Sequence, residues 1–205
     1  MNNKIEIYCD GSFHETLNHV SDVGIYCCVI FKNNILFKEK SHASSKFNNN
    51  IECEIMSINL AISLISSYKL NINNIIIYND CQSIINLINN NKYNKFIKLI
   101  KNKENFLKTL YGIIKNYQRN YDLQIKWIPR SLNKNADKLT KEKYNQHFSC
   151  SNDMIISQLK NIQNNIVRNY KTSKNKNMKI ILNNISNSIN LLERDYHIWI
   201  LKIYY

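Results

Sequence analysis

The feature that most constrains the fold is a change in the spacing of apolar residues near residue 50. Before that point, residues 3–10, 23–31 and 35–40 alternate or run apolar over strand lengths. The dipeptide Asn33-Asn34 between the last two segments predicts a hairpin turn. After it, isoleucines recur at three- and four-residue steps, namely Ile51, Ile55, Ile58, Ile62 and Ile65. This pattern predicts three antiparallel strands followed by a helix.

The next segments alternate between strand and helix. Residues 75–78 are continuously apolar, as expected for a strand that is buried on both faces. Helices are predicted over 82–90 and 104–118, the second with an inner stripe of Phe106, Leu110, Ile113 and Ile114. A fifth strand over 123–128 ends at Pro129, and Asn133 or Asn135 begins a last helix that reaches about residue 145. The order β-β-β-α-β-α-α-β-α predicts an α/β fold with a mixed five-stranded sheet flanked by helices.

The rest of the chain has only helical spacing. One apolar stripe is Ile155, Leu159, Ile162 and Ile166, and a second is Ile181, Ile185, Ile189 and Leu192, with a polar break over 171–177 between them. We therefore divide the chain into a domain over residues 1–147 and a basic helical extension over 148–205. The extension is either a helical hairpin or a solvated tail that orders only on a partner.

Charge and cysteine content limit the function classes. The net charge of +13 favours a polyanionic partner such as nucleic acid. No apolar run is long enough to span a bilayer, and the N-terminus leads into a strand without a signal-peptide pattern. We therefore expect an intracellular, cytoplasmic protein without a membrane partner, with an organelle or the nucleus as alternatives. The six cysteines lack zinc-site spacing and are expected to be reduced and mostly buried.

Four carboxylates stand where strands end or helices begin: Asp10, Glu54, Asp80 and Asp137. Alone, Asp10 in Asp-Gly-Ser is ordinary turn chemistry, Asp80 is a strand-end residue and Asp137 a helix-cap residue. Together, such positions gather at one edge of a mixed sheet, where their mutual repulsion calls for divalent cations. Oxygen ligands of this kind suit Mg²⁺ or Mn²⁺. Two such ions roughly 4 Å apart are the arrangement used for in-line attack on a phosphodiester.

At these positions the sequence resembles the type 1 ribonuclease H family over about residues 1–147. The matching segments occur in the family's order: YCDGSF, NIECEIMSI, NDCQSIINLI and NKNADKL. The resemblance implies a ribonuclease H-like fold and hydrolysis of the RNA strand of RNA–DNA hybrids, leaving a 3′-hydroxyl and a 5′-phosphate. It also implies two Mg²⁺ ions, with Mn²⁺ as a substitute.

The resemblance assigns a role to each carboxylate. Asp10 would bridge both ions, Glu54 and Asp80 would hold the ion that positions the nucleophilic water, and Asp137 would hold the other. Glu54 is preferred to Glu52 because it aligns with the family's helix-start glutamate, and the two residues do not share a helix face.

The resemblance also suggests which residues contact the hybrid: Gly11, Ser12, Asn50, Gln82 and Arg130. Arg130 stands in the loop before the last helix, where many members carry a histidine, and His147 is expected on the surface. Trp127 is expected in the core rather than as a base-stacking platform. The basic protrusion of some relatives is expected to be absent or reduced, with a partial replacement or a merely solvated face at Lys92, Lys95, Lys98, Lys101 and Lys103.

Two other functions stay open at this point. One is a nucleic-acid-binding module with weak catalysis, and the other is a DNA nuclease or resolvase on the same fold. The extension either enlarges the hybrid-binding surface or docks a protein partner or a second copy of the chain.

Overall fold

The computed structural model describes residues 4–15, 22–68, 70, 74–173 and 180–191. The chain divides into two compact units, residues 1–144 and 145–205. The first unit begins with three antiparallel strands: β1 (Ile5–His14), β2 (Val23–Lys32) and β3 (Ile35–Ser44). Asn33 and Asn34 join β2 to β3 with φ angles of 52° and 64°, the left-handed values that a tight hairpin turn requires. The predicted hairpin is confirmed.

The remaining elements follow in the predicted order, with two short additions. They are α1 (Asn50–Ser67), β4 (Ile75–Asn79), α2 (Gln82–Asn89), α3 (Tyr93–Phe96), α4 (Glu104–Asn120), β5 (Gln124–Trp127), a 3₁₀ turn (Arg130–Leu132) and α5 (Lys134–Ser173). The single turn α3 and the 3₁₀ turn were not predicted. The strands form one sheet in the order β3-β2-β1-β4-β5, in which β4 pairs parallel to β1 and β5 parallel to β4. The mixed five-stranded sheet is therefore confirmed.

The main core lies between one face of the sheet and helices α1, α2 and α4. The inward residues of β1 and β4 pack against the isoleucines of α1 at 55, 58, 62 and 65. In α4 the buried stripe is Leu107, Leu110, Tyr111 and Ile114. The predicted inner position of Ile113 is wrong. The buried face of α4 is centred on Leu107, Leu110 and Ile114, and Ile113 lies to one side of that face and is exposed. Ala136 of α5 packs on Cys27 and Val29 of the opposite sheet face.

Helix α5 is longer than predicted. The expected end near residue 145 is wrong, since the helix continues to Ser173. The sequence holds neither proline nor glycine after Pro129, so nothing local interrupts the backbone hydrogen bonds. The expected break over 171–177 lies partly outside the described residues.

In the second unit, a further helix, α6, covers residues 180–191. Gln163 Nε2 donates a 2.7 Å hydrogen bond to Ser186 Oγ, so the two helices touch, which agrees with a helical hairpin. The predicted stripes are only partly right, because Ile155, Ile162 and Ile181 are exposed while Ile156 and Ile189 are buried. Leu192 lies outside the described residues. No described helix is long and apolar enough to cross a membrane.

Candidate active site

Three of the four predicted carboxylates meet at one edge of the sheet. Asp10 lies on β1, Glu54 in the first turns of α1 and Asp80 directly after β4. One carboxylate oxygen from each lies within 4.8 Å of the others. β1 and β4 are adjacent and parallel with Cys9 paired to Asn79, so Asp10 and Asp80 lie side by side where β4 ends, and the start of α1 packs against them. The expected end of the first strand at Asp10 is wrong, because β1 continues to His14. The arrangement concentrates negative charge at a single place.

Gly11 allows β1 and α1 to approach closely enough for this cluster to form. A Cβ atom at Gly11 would lie 2.3 Å from both the carbonyl carbon of Cys53 and the amide nitrogen of Glu54. Only a residue without a side chain fits such a contact. The Gly11 backbone N–H also hydrogen-bonds the Glu54 carboxylate. Gly11 therefore has a structural role in the cluster, besides the hybrid contact suggested for it.

Glu54 is almost completely buried, and a residue at the end of β4 donates a hydrogen bond to one of its carboxylate oxygens. Asn79 Nδ2 donates a 2.8 Å hydrogen bond to Glu54 Oε2. Burial raises the pKa of Glu54 well above its usual range, and the charge of Asp10 raises it further, while the bond from Asn79 opposes the shift. A bound cation would relieve this penalty. Sequence reasoning missed Asn79, although it directly precedes Asp80.

Asp10 is also buried and has a second partner that the sequence did not reveal. Thr140 Oγ1 donates a 2.6 Å hydrogen bond to Asp10 Oδ2. Desolvation raises the pKa of Asp10, and the hydroxyl of Thr140 offsets part of that rise. Thr140 lies three residues after Asp137 on α5, so helical spacing was the one signal available for it.

The Asp80 side chain has a buried oxygen that the described residues do not satisfy. Its Oδ1 is buried and has no hydrogen-bond partner among the described residues. Buried carboxylate oxygens are normally satisfied, and a divalent cation held by Asp10, Glu54 and Asp80 would satisfy this one. An all-oxygen donor set of this kind fits Mg²⁺ or Mn²⁺.

Trp127 lies beside Asp80 and not in the core. Its Nε1 donates a 3.1 Å hydrogen bond to the Asp80 carbonyl oxygen, and 43% of the residue is exposed. The predicted core position is wrong: Trp127 is the last residue of β5, beyond the buried Ile125, and is left exposed there. The indole holds the backbone that carries Asp80.

Asp137, the fourth predicted carboxylate, is in a different environment. Its Oδ1 accepts hydrogen bonds from Arg130 Nη2 at 2.6 Å and Nε at 3.2 Å, and its Oδ2 accepts one from Lys141 Nζ at 2.5 Å. Desolvation alone would raise the pKa of Asp137, but the bonds from Lys141 and Arg130 outweigh it and lower the pKa. The structure therefore places Asp137 outside the group formed by Asp10, Glu54 and Asp80.

Glu52, the alternative to Glu54, is used to start α1. Its backbone N–H donates to Oδ1 of the N-cap residue Asn49 at 3.0 Å, and its Oε2 accepts from the Asn48 N–H at 3.1 Å. This is a capping box in which the glutamate bonds the residue before the N-cap instead of the N-cap itself. Lys103 Nζ lies 3.2 Å from the same Oε2. These bonds account for Glu52 and leave Glu54 as the carboxylate in the cluster.

The suggested hybrid-contacting residues lie near the cluster or at its rim. Ser12 is half-buried, with its Oγ 3.2 Å from His14 Nε2. Asn50 is exposed, and its Oδ1 accepts from the Phe13 N–H at 3.0 Å. Gln82, at the start of α2, and Arg130 are exposed. Four of the five lysines between 92 and 103 are exposed as well, whereas Lys103 is engaged by Glu52. His147 is exposed, as expected.

Comparison with known proteins identifies the family. The profile described as RNase H matches residues 2–145. The chain belongs to the RNase H family. No curated protein sequence matches it significantly.

Solved structures give the same fold for this RNase H domain. RNase H1 of the halophilic archaeon Halobacterium salinarum NRC-1 superposes with a TM-score of 0.53 at 15% identity, covering 70% of this chain and 98% of that one. The N-terminal RNase H domain of Rv2228c from Mycobacterium tuberculosis gives 0.54 at 14% identity, covering 73% and 99%. LC11-RNase H1, isolated from compost by a metagenomic approach and solved with an RNA/DNA hybrid, gives 0.51 at 22% identity, covering 68% and 95%.

Proposed function

We propose that the protein is a metal-dependent endoribonuclease that hydrolyses the RNA strand of RNA–DNA hybrids and leaves 3′-hydroxyl and 5′-phosphate ends. The observation that carries the proposal is the cluster of Asp10, Glu54 and Asp80 with the unsatisfied Asp80 oxygen. Membership of the RNase H family supports it, as does the hybrid bound by LC11-RNase H1. A protein that only binds phosphates would gain nothing from clustered negative charge.

In this proposal the carboxylates hold two Mg²⁺ ions, or Mn²⁺ in their place. Asp10, Glu54 and Asp80 would hold one ion, and Asp10 with Asp137 would hold the other. When bound, the ions supply Lewis acidity toward the phosphate and an activated water. Asn79 and Thr140 hold Glu54 and Asp10 in fixed orientations, and the Trp127 indole holds the backbone at Asp80.

Substrate recognition is proposed to combine charge with contacts to the RNA ribose. Gly11, Ser12, Asn50 and Gln82 are the candidates for the strand that carries 2′-hydroxyl groups, and Arg130 is the candidate for a phosphate near the carboxylates. The net charge of +13 favours association with a polyanion.

Cleavage of a defined substrate tests this function. Wild type and Asp10→Asn would be incubated with an end-labelled RNA–DNA hybrid in Mg²⁺ or in Mn²⁺, and the product ends determined. We expect the RNA strand to be cut by wild type only, since the amide removes a metal-binding charge. Binding without cleavage would favour the binding-module alternative, and cutting of duplex or branched DNA in preference to hybrid would favour a DNA nuclease or resolvase.

For residues 148–205 we propose that basic helices add to hybrid affinity. Removal of residues 151–205 should then raise KM for the hybrid and flatten the salt dependence of binding. Unchanged values would instead favour docking of a protein partner or a second copy of the chain. We also propose that the catalytic domain ends near residue 147 and that the protein is intracellular.

A further inference from the structure

His14 lies at the end of β1 and makes two contacts that the proposed function does not use. Its ring stacks on that of Tyr144 in α5, with centroids 3.9 Å apart and planes inclined by 25°. Its Nε2 lies 3.2 Å from Ser12 Oγ, within hydrogen-bond distance. Both His14 and Tyr144 are partly buried, so the stack fixes the plane of the imidazole. The ring therefore presents a fixed nitrogen to the Ser12 hydroxyl.

α5 supports β1 at two points, one on each side of Ser12. Asp10, Ser12 and His14 lie on one face of β1, because alternate residues of a strand point the same way. Thr140 bonds the Asp10 carboxylate, and Tyr144, one helical turn later, stacks on His14. Ser12 is thus flanked on its own strand by two residues that α5 holds in place.

The hydrogen bond to His14 restricts what the Ser12 hydroxyl can do. A serine hydroxyl without a fixed partner rotates to suit any neighbour. Burial lowers the pKa of His14, so the ring is neutral at neutral pH and carries one donor and one acceptor nitrogen. In either tautomer the bonded Ser12 oxygen keeps a lone pair for a donor on its other side. A ribose 2′-hydroxyl can be that donor, whereas deoxyribose offers none.

We propose that His14 is a positioning residue for the choice of RNA over DNA: stacked on Tyr144, it orients the Ser12 hydroxyl toward a ribose 2′-hydroxyl of the hybrid. The inference rests on the proposed function, in which Ser12 is a candidate contact to the RNA strand. It extends that function by naming the residue that acts through Ser12. Two residues of a strand span about 7 Å, so the ribose concerned adjoins the phosphate at the carboxylate cluster.

Equilibrium binding in the presence of a chelator tests the inference without measuring cleavage. The full chain would be titrated against a fluorescently labelled RNA–DNA hybrid and against duplex DNA of the same sequence, and wild type should bind the hybrid more tightly. His14→Phe keeps a ring against Tyr144 but lacks Nε2. It should weaken hybrid binding about five- to tenfold, the effect of one lost hydrogen bond, and leave binding of duplex DNA unchanged. His14→Gln, whose amide can still bond Ser12, should recover most of the loss.

A combined variant separates action through Ser12 from a general effect on the fold. Ser12→Ala should weaken hybrid binding as much as His14→Phe does, and the double variant should bind no more weakly than either, because both changes remove the same contact. The inference is overturned by additive losses, by an equal loss for duplex DNA, by unchanged hybrid binding in His14→Phe, or by equal wild-type affinity for the two duplexes. Absence of cleavage by wild type, with the preference for hybrid intact, would overturn the proposed function alone.

Discussion

Asn79 Nδ2 lies 2.8 Å from Glu54 Oε2 and so joins the end of β4 to the start of α1. The same amide group lies 3.3 Å from the Cys9 carbonyl oxygen, next to Asp10. One buried side chain thus contacts the elements that carry all three clustered carboxylates. The cluster is held by hydrogen bonds across elements, in addition to the packing of the sheet edge.

Gly11→Ala should disrupt the cluster by steric conflict. The added methyl group would meet the backbone of Cys53 and Glu54 at 2.3 Å, so β1 and α1 must separate. We expect a loss of roughly 3 kcal/mol or more in the free energy of unfolding, together with weaker Mg²⁺ binding. Urea denaturation and metal titration measure both effects.

Gly112→Ala is the matched control for that substitution. Gly112 lies inside α4 with nothing within 4 Å of the added methyl group. Replacing a helical glycine in open space should stabilise the protein by about 0.5–1 kcal/mol. Equal stability losses for Gly11→Ala and Gly112→Ala would contradict the close-approach argument.

Glu54→Gln should stabilise the metal-free protein while removing metal-dependent activity. Burial raises the pKa of Glu54 in the folded state above its unfolded value, so stability is lost as the pH rises from the unfolded pKa to the folded pKa. The melting temperature of wild type in a chelator should therefore fall as the pH rises from the usual glutamate range toward neutrality. The glutamine variant should lack this part of the fall and melt a few degrees higher at neutral pH.

Thermal melts across that pH range, with and without Mg²⁺, provide the measurement. Mg²⁺ should stabilise wild type more than the variant, because binding relieves the repulsion among the carboxylates. Superimposable pH profiles for the two proteins would show that the ionised Glu54 carries no such cost.

Glu52→Ala should have the opposite effect to Glu54→Gln, lowering the stability of the protein while keeping its cleavage activity. The substitution removes the acceptor for the Asn48 N–H and leaves Lys103 without its carboxylate partner. We expect a loss of about 1–3 kcal/mol in the free energy of unfolding. Hybrid cleavage measured well below the melting temperature should stay close to the wild-type rate, and a loss comparable to that of Glu54→Gln would move the catalytic assignment to Glu52.

Thr140→Val should weaken metal binding without a large change in packing. Valine matches threonine in shape but lacks the hydroxyl that donates to Asp10 Oδ2, so the pKa of Asp10 should rise and its affinity for Mg²⁺ should fall. Threonine to serine keeps the donor and serves as the control. Metal affinity measured at pH 6 and pH 8 should differ more for the valine variant than for the serine variant, and identical affinities would rule out a role for the hydroxyl.

The sequence by itself determined the order of strands and helices and placed Glu54 at the start of a helix and Asp80 after a strand, whereas Asp10, expected to end the first strand, lies inside it. Those features depend on local periodicity, on turn residues such as Asn33 and Asn34, and on family motifs. All three can be read from the order of residues alone. It could not show Asn79 and Thr140 as partners of the carboxylates, because hydrogen bonds across 25 and 130 positions leave no local pattern.

Only the tertiary structure decided that Asp137 is ion-paired and that Trp127 is exposed. Asp137 has the expected position at the start of α5, but its partners depend on where Arg130 lies in the preceding turn and which face of α5 carries Lys141. Trp127 has a large apolar side chain on the same strand as the buried Ile125, but it is the last residue of β5 and is exposed. Burial and ion pairing are properties of the assembled sheet, since neighbours in space, rather than neighbours along the chain, set the local dielectric and the available partners.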